Sequence, residues 1–157
     1  MLKQEAEKQQ TFSIESPAFN NGGLIPAVYT CDGKNINPPL TILNTPPQTK
    51  SLALIVDDPD APVGLWIHWV AWNINPETKK IPEGIQKIGT NGKNTRGKNE
   101  YGGPCPPDKM HRYFFKIFAL DTVLNISENN GNNELLEAIK DHVIARAELI
   151  GLYNRKS

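Results

Sequence analysis

Two short proline-rich segments most constrain how this chain can fold, because each fixes the backbone just before a strand-like stretch. The first reads DPDAP, ends at Pro62 and leads to His68. The second reads YGGPCPP, ends at Pro107 and leads to His111. Proline fixes φ and restricts the residue before it, so such turns hold polar groups at a low entropic cost. Two of the chain's three histidines follow these turns.

Both histidines lie at the polar end of an apolar strand face, if side chains alternate with period two. On that count, His68 shares a face with Val70 and Trp72. His111 shares a face with Tyr113. If the two strands lie side by side, both imidazoles and the nearby carboxylates meet around one small cavity. A single histidine at such a position is often only a strand end that leaves a core, but two of them beside proline-rich turns favour a site.

Length and charge predict one domain without general affinity for nucleic acid or membranes. The chain has 157 residues, the length of one domain, which we assign to residues 11–157 behind a flexible tail of residues 1–10. Lys plus Arg and Asp plus Glu are 17 each, so no net field attracts nucleic acid or an anionic membrane. The first ten residues lack the apolar core of a signal peptide, and no later stretch could span a bilayer. We therefore expect a cytoplasmic protein without stable membrane association.

The pattern along the chain is typical of an all-β protein with one late helix. Thirteen prolines and twelve glycines separate short apolar stretches. The predicted strands are residues 11–14, 28–30, 40–43, 51–56, 65–73 and 113–120. An apolar stripe at spacings of three and four, from Leu135 to Val143, predicts a helix over residues 133–145. Residues 86–99, rich in Gly, Asn and Lys, form the longest predicted loop.

Four segments together resemble the signature of the phosphatidylethanolamine-binding proteins, the family that includes Raf kinase inhibitor protein. They are DPDAP at 58–62, Trp66 with His68, YGGP at 101–104 and HRY at 111–113. Asp-Pro-Asp alone is ordinary turn chemistry, but four segments in this order and spacing are specific. The resemblance runs from about Phe12 to Tyr153. The short loop between Pro62 and Trp66 is similar to the small bacterial and archaeal branch of the family.

This resemblance implies a mainly β fold and one ligand pocket. The implied fold is a Greek-key antiparallel β-sandwich with a C-terminal helix packed on one side and a final strand near residues 149–153. The implied pocket holds a phosphate, a phosphoryl headgroup or a carboxylate. The ligand-binding residues carried over by matching motif are Asp58, Asp60, Pro62, Trp66, His68, Gly103, Pro104, His111 and Tyr113.

The residue types in this pocket predict an anion receptor. A carboxylate beside a histidine favours the imidazolium and raises its pKa. Together with the backbone N–H groups of Gly102 and Gly103, an imidazolium would form an anion-binding nest. The two aspartates of the DPDAP segment also suit turn caps that hold the strands in register, and both roles are compatible. Arg112 points to the opposite face of its strand, which predicts a structural ion pair.

The predicted function is binding of a small anionic or phosphorylated ligand with a regulatory role. The alternative is a protein inhibitor of a protease or kinase that acts through surface loops on a protein partner. We find no convincing catalytic constellation: no serine lies in a Gly-x-Ser-x-Gly turn, and no short-range spacing supports a metal site. We therefore expect no enzyme activity, no metal and no cofactor.

Two further predictions concern the cysteines and the oligomeric state. Cys31 and Cys105 are too few for a disulfide scaffold, so free thiols are predicted, with a bridge between them left open. Zero net charge and the resemblance to the bacterial branch predict a two-fold homodimer, since closed two-fold dimers are the commonest assembly.

Overall fold

The computed structural model describes residues 11–155, which form nine strands and one α-helix. The tail predicted for residues 1–10 lies outside the described residues. The strands, in chain order, are β1 (Ser13–Glu15), β2 (Gly23–Leu24), β3 (Leu40–Leu43), β4 (Ser51–Asp58), β5 (Trp66–Ile74), β6 (Lys80–Ile81), β7 (Thr90–Asn91), β8 (His111–Leu120) and β9 (Val143–Tyr153). The helix α1 (Asn132–Ile139) lies between β8 and β9. The mainly β fold is thus confirmed.

These strands form a small and a large sheet. The small sheet has the order β1-β3-β6, and the large sheet has the order β2-β9-β8-β4-β5-β7. β2 pairs with β9 in parallel, so the large sheet is mixed and the prediction of purely antiparallel sheets is wrong. Gly151 lies opposite β2, and a Cβ there would lie 2.6 Å from Ile25. Glycine therefore allows the segment after β2 to approach β9 this closely.

The large sheet is covered on both faces. Its central strand β4 is buried along its whole length, as its continuous apolar run predicts. The core between the two sheets includes Ile42 of the small sheet and Leu54 of β4. On the other face, Leu135 and Ile139 of α1 pack against Trp72. The helix therefore packs on one side of the large sheet, and a final strand follows it, as the resemblance implied.

Two predicted elements differ from the structure. Of residues 28–30, predicted as a strand, Val28 and Tyr29 belong to a 3-10 turn, Ala27–Tyr29, that follows Pro26, and Thr30 directly follows this turn. Proline fixes φ at the entrance of this turn and favours a turn over a strand. The helix predicted to reach residue 145 ends at Ile139, and β9 begins at Val143. The apolar pattern of residues 143–147 fits a helix as well as a strand. Pairing along the whole length of β8 favours the strand.

The remaining long strands agree with the sequence prediction to within two residues at each end. The short strands β2, β6 and β7 were not predicted, because two residues carry no periodic signal. Within the described part of the chain, no helix is long and apolar enough to cross a membrane.

Candidate functional site

The candidate site lies at one end of the large sheet, where three strands place their polar residues. β4 pairs with both β5 and β8 and therefore lies between them. His68 is on β5, His111 begins β8, and Asp58 ends β4. The two histidine strands therefore do not lie side by side, so the condition set for both imidazoles to meet directly is not fulfilled. The intervening strand places the axes of β5 and β8 roughly 10 Å apart, two strand spacings, and supplies the carboxylate of Asp58 between them.

His68 occupies a β-bulge, which the alternation rule could not anticipate. Successive residues of β4 pair with Trp69 and Ile67, so His68 between them has no partner of its own. The bulge turns His68 toward the core between the sheets, where its ring meets Tyr113 edge-on at 5.3 Å between centroids. Val70 packs on the helix side instead. The shared face predicted for His68 with Val70 and the following tryptophan is therefore wrong.

His111 is held between two carboxylates. Its Nδ1–H donates to Asp58 Oδ2 (2.7 Å) and its Nε2–H donates to Asp108 Oδ1 (2.7 Å). An ionised carboxylate can only accept, so both ring nitrogens carry a proton and the ring is an imidazolium. Burial disfavours this charge, but the hydrogen bonds to Asp58 and Asp108 outweigh it and raise the pKa of His111. The contact with His111 lowers the pKa of Asp108.

His68 is in the opposite protonation state. Its Nδ1–H donates to the carbonyl oxygen of Gly102 (2.6 Å), and a carbonyl can only accept. Burial lowers the pKa of His68, so the ring is neutral and its Nε2 is an acceptor. This Nε2 and the hydroxyl of Tyr113 are both buried without a hydrogen-bond partner among residues 11–155. Burial raises the pKa of Tyr113, which keeps its hydroxyl protonated.

These groups line one pocket of about 330 Å³. Apolar walls surround them, and the wall residues are Ala61, Pro62, Val63, Trp66, Pro106 and Pro107. The charged groups that line it are Asp58, His111 and Arg96. Mostly apolar walls with a few convergent polar groups are typical of a small-molecule site.

The structure brings most of the predicted site residues together. The pocket is lined by Asp58, Pro62, Trp66, His68, Gly103, His111 and Tyr113, but not by Asp60 or Pro104. Arg112 binds Asp60 through two guanidinium hydrogen bonds of 2.9 Å. These contacts lower the pKa of Asp60 to about 2. The structural ion pair predicted for Arg112 is confirmed. Pro104 is buried, and its carbonyl accepts from the Cys31 N–H (3.1 Å).

The predicted nest of two glycine N–H groups is wrong. The Gly102 N–H donates to the His68 carbonyl (2.9 Å), and the Gly103 N–H donates to Asn35 Oδ1 (2.8 Å). Both donors are therefore used to fix the turn. A Cβ on Gly103 would overlap the Tyr29 carbonyl oxygen, whereas a Cβ on Gly102 would have its nearest neighbour, Asn94 Nδ2, at 3.7 Å.

Cys31 and Cys105 form a disulfide, so the prediction of free thiols is wrong. Their Cα atoms lie 5.4 Å apart across a sequence separation of 74 residues. Cys105 also lines the pocket. The bridge ties the pocket loop to the segment after the 3-10 turn, so the covalent link supports one wall of the site.

Sequence reasoning missed Asp108, Asn94 and Arg96 as residues of the site. The available signal for Asp108 was a carboxylate three residues before His111 in a proline-rich segment. Asn94 lies in the predicted loop of residues 86–99, which includes β7 and is held by side-chain hydrogen bonds. Asn94 Oδ1 accepts from the N–H groups of Arg96 and Lys98, both at 3.0 Å.

Within the described residues, no group of three or more His, Cys, Asp and Glu side chains is arranged to hold a metal ion.

Fold and pocket together define a mainly β protein with a small, mostly apolar pocket at the end of its large sheet. The family model described as phosphatidylethanolamine-binding protein matches residues 15–154. A UPF0098 protein of Chlamydia pneumoniae is 50% identical over 145 residues, covering 89% of this chain and 97% of that protein. A UPF0098 protein of Methanothermobacter thermautotrophicus is 47% identical over 149 residues, covering 91% and 99%.

Two solved structures are similar as well. A putative phosphatidylethanolamine-binding protein homolog, CT736 of Chlamydia trachomatis, has a TM-score of 0.91 and 44% identity, covering 93% of this chain and 99% of that one. YbcL of E. coli, described as a new member of the mammalian PEBP family, has a TM-score of 0.86 and 32% identity, covering 94% and 100%. The chain belongs to the phosphatidylethanolamine-binding protein family, and the resemblance seen in the sequence is confirmed.

Proposed function

We propose that this chain binds a small ligand with a phosphoryl or other anionic group in the pocket, and that this binding has a regulatory role. The observation that carries the proposal is a pair of buried polar atoms, His68 Nε2 and the Tyr113 hydroxyl, that lack partners among the described residues. Both belong to residues that line the same pocket as the His111 imidazolium. Buried polar groups without hydrogen-bond partners cost free energy, so binding of a ligand that supplies these partners is favoured.

The protonation states suggest which anions fit best. A ligand with a P–OH group can donate to His68 Nε2, and the Tyr113 hydroxyl can donate to a phosphoryl oxygen. A fully ionised anion such as sulfate requires His68 to take up a proton at Nε2 first. The apolar walls would cover the carbon part of a phosphate monoester. The family model's description names phosphatidylethanolamine, whose phosphodiester offers an anionic oxygen to the Tyr113 hydroxyl but has no P–OH for His68.

Calorimetric titration with phosphate, phosphoethanolamine and sulfate tests this proposal. His68→Ala and His111→Ala should each weaken binding by about 1.5–3 kcal/mol, the value of a hydrogen bond to a charged group. His142→Ala is the matched control, because His142 is half-exposed and pairs with Asp121 at the other end of β8. Unchanged affinity in both pocket variants, or no binding of any of these anions by the wild type, would overturn the proposal.

Sulfate, whose charge is fixed, also reports on the proton at His68. Its affinity should fall as pH rises from about 6 to 8, because the bound state holds a proton that the buried neutral ring lacks in the free protein. His111 stays charged longer, since its pKa is raised. Affinity that is flat or rises across this window would show that His68 binds no anion through a protonated Nε2.

Other expectations concern properties that the pocket does not determine. Inhibition of a protease or kinase through surface loops, the alternative function, stays a prediction. So do the homodimer, the cytoplasmic location and the lack of stable membrane association. The assignment of residues 11–157 to one domain and the Greek-key description of the sandwich likewise stay predictions.

A further inference from the structure

Asp108 occupies the side of His111 that a bound anion would need. His111 has two N–H groups: one donates to Asp58 and the other donates to Asp108, each at 2.7 Å. No N–H of the imidazolium is therefore left for a ligand. We propose that the Asp108 carboxylate is an internal competitor of the ligand's anionic group and must leave His111 before that group binds there. This inference rests on the proposed function and concerns the control of the same site.

The two carboxylates that hold His111 differ in how easily they can leave. The Asp58 side chain is 4% exposed, and its other oxygen accepts from the Asp60 N–H (2.7 Å). The Asp108 side chain is 46% exposed, and its only other hydrogen bond within the described residues is from the N–H of Lys109, its neighbour. Asp58 is thus a fixed part of the sheet end, whereas a side-chain rotation in an exposed loop can release Asp108.

The charges in and beside the pocket also favour anion binding only after Asp108 has left His111. The charged groups that line the pocket are Asp58, His111 and Arg96; Asp108 lies beside it on His111, and His68 is neutral. The nearby Asp60 and Arg112 offset each other in an ion pair. With Asp108 in place, the carboxylates of Asp58 and Asp108 offset the His111 imidazolium and Arg96, so these groups carry no net positive charge that would attract an anion. After Asp108 leaves, the imidazolium is balanced by Asp58 alone and its Nε2–H is a free donor. A carboxylate at this donor also shows that an oxyanion fits there.

The backbone around Asp108 limits the exchange to its side chain. The disulfide fixes Cys105, and Pro106 and Pro107 follow it directly. Prolines restrict φ, so the chain before Asp108 has little freedom. Displacement of Asp108 therefore does not require the pocket wall to move.

The test compares Asp108→Ala with Asp121→Ala in sulfate titrations at pH 6. Asp121 is the matched control, because it also accepts from a histidine ring (2.8 Å) and is 52% exposed, but it lies at the far end of β8. Asp108→Ala should bind sulfate about tenfold more tightly, the gain expected when a state populated about one part in ten becomes the only state. Asp121→Ala, with the same change in net charge, should bind like the wild type.

Asp108→Asn, which keeps an acceptor but no charge, should lie between the wild type and Asp108→Ala. A second measurement follows Asp108 by carbon NMR in the wild type: saturating sulfate should return the pKa of its carboxyl toward the ordinary value. If Asp108→Ala bound sulfate measurably but no more tightly than the wild type, the proposal that Asp108 competes with the ligand would be overturned, and the proposed function would stay intact. If neither the wild type nor Asp108→Ala bound sulfate or phosphate, the proposed function itself would be overturned.

Discussion

The buried Asp58–His111 pair should make the stability of this protein depend on pH, and Asp58→Asn should remove most of that dependence. The Asp58 and His111 side chains are 4% and 1% exposed. The pKa of His111 is raised in the folded protein, because hydrogen bonds to carboxylates outweigh burial. Such a histidine contributes stability that is fully present below its unfolded pKa of about 6.5, and this stability is lost as pH rises through the folded pKa.

The size of the effect follows from the partners that His111 keeps. Removing one partner of a buried ion pair costs about 3–5 kcal/mol when the other charge is left alone. In Asp58→Asn, His111 still has Asp108 and can lose its proton, so we expect a loss of about 3 kcal/mol at pH 6 and about 1 kcal/mol at pH 8. The expected loss thus changes by about 1 kcal/mol per pH unit between pH 6 and pH 8, which is below the limit of about 1.36 kcal/mol per pH unit for the titration of one proton.

Urea unfolding at pH 6, 7 and 8, with the disulfide intact, measures this difference. Asp121→Asn is the control, since it removes the same charge beside a histidine that is 44% exposed, and it should change stability by less than about 0.5 kcal/mol at each pH. The gap between wild type and Asp58→Asn should narrow as pH rises. A gap that is constant or that widens would mean that His111 is neutral in the folded protein, and the assignment of an imidazolium would be wrong.

Two more predictions concern the pocket loop. Replacing both Cys31 and Cys105 by Ser should lower the free energy of unfolding by about 4 kcal/mol, the loop-closure entropy for a separation of 74 residues; reduced wild type should match this variant, and a variant as stable as the oxidised wild type would contradict the bridge. Gly103→Ala should strongly destabilise the protein, because its Cβ would overlap the Tyr29 carbonyl, whereas Gly102→Ala has room; equal midpoints for the two variants in thermal unfolding would refute this packing.

Much of the site was predictable because strand ends and turn residues carry local signals. The proline-rich turns located both sheet-end segments, and the long strands appeared as apolar runs. The alternation of side chains along a strand also correctly placed His111 and Tyr113 on one face of β8, since both line the pocket. Asp58 was assigned to the pocket through the family resemblance, and its hydrogen bond to His111 agrees with the expected carboxylate beside a histidine.

What the sequence could not predict depends on contacts between distant segments. The bulge at His68 arises where β5 gains a residue relative to β4, and pairing register has no local signature. The disulfide joins residues 74 positions apart, so only the fold reveals that their Cα atoms lie 5.4 Å apart. The glycine N–H groups looked free because Asn35, the partner of Gly103, lies 68 residues earlier.

The two pocket histidines show how the same side chain acquires opposite roles from its neighbours. A backbone carbonyl fixes the proton of His68 on Nδ1 and leaves Nε2 as an acceptor, whereas two carboxylates keep protons on both nitrogens of His111. A pocket with two imidazolium rings would suit any anion, and one with two neutral rings would suit none strongly. One acceptor, one cation and the Tyr113 hydroxyl together favour a group that carries both a negative oxygen and a proton. A phosphate monoester carries both in its monoanion, which is populated near and below its second pKa of about 6. Sulfate has no such form in this range, so the two protonation states give a physical reason to prefer a phosphoryl group over sulfate.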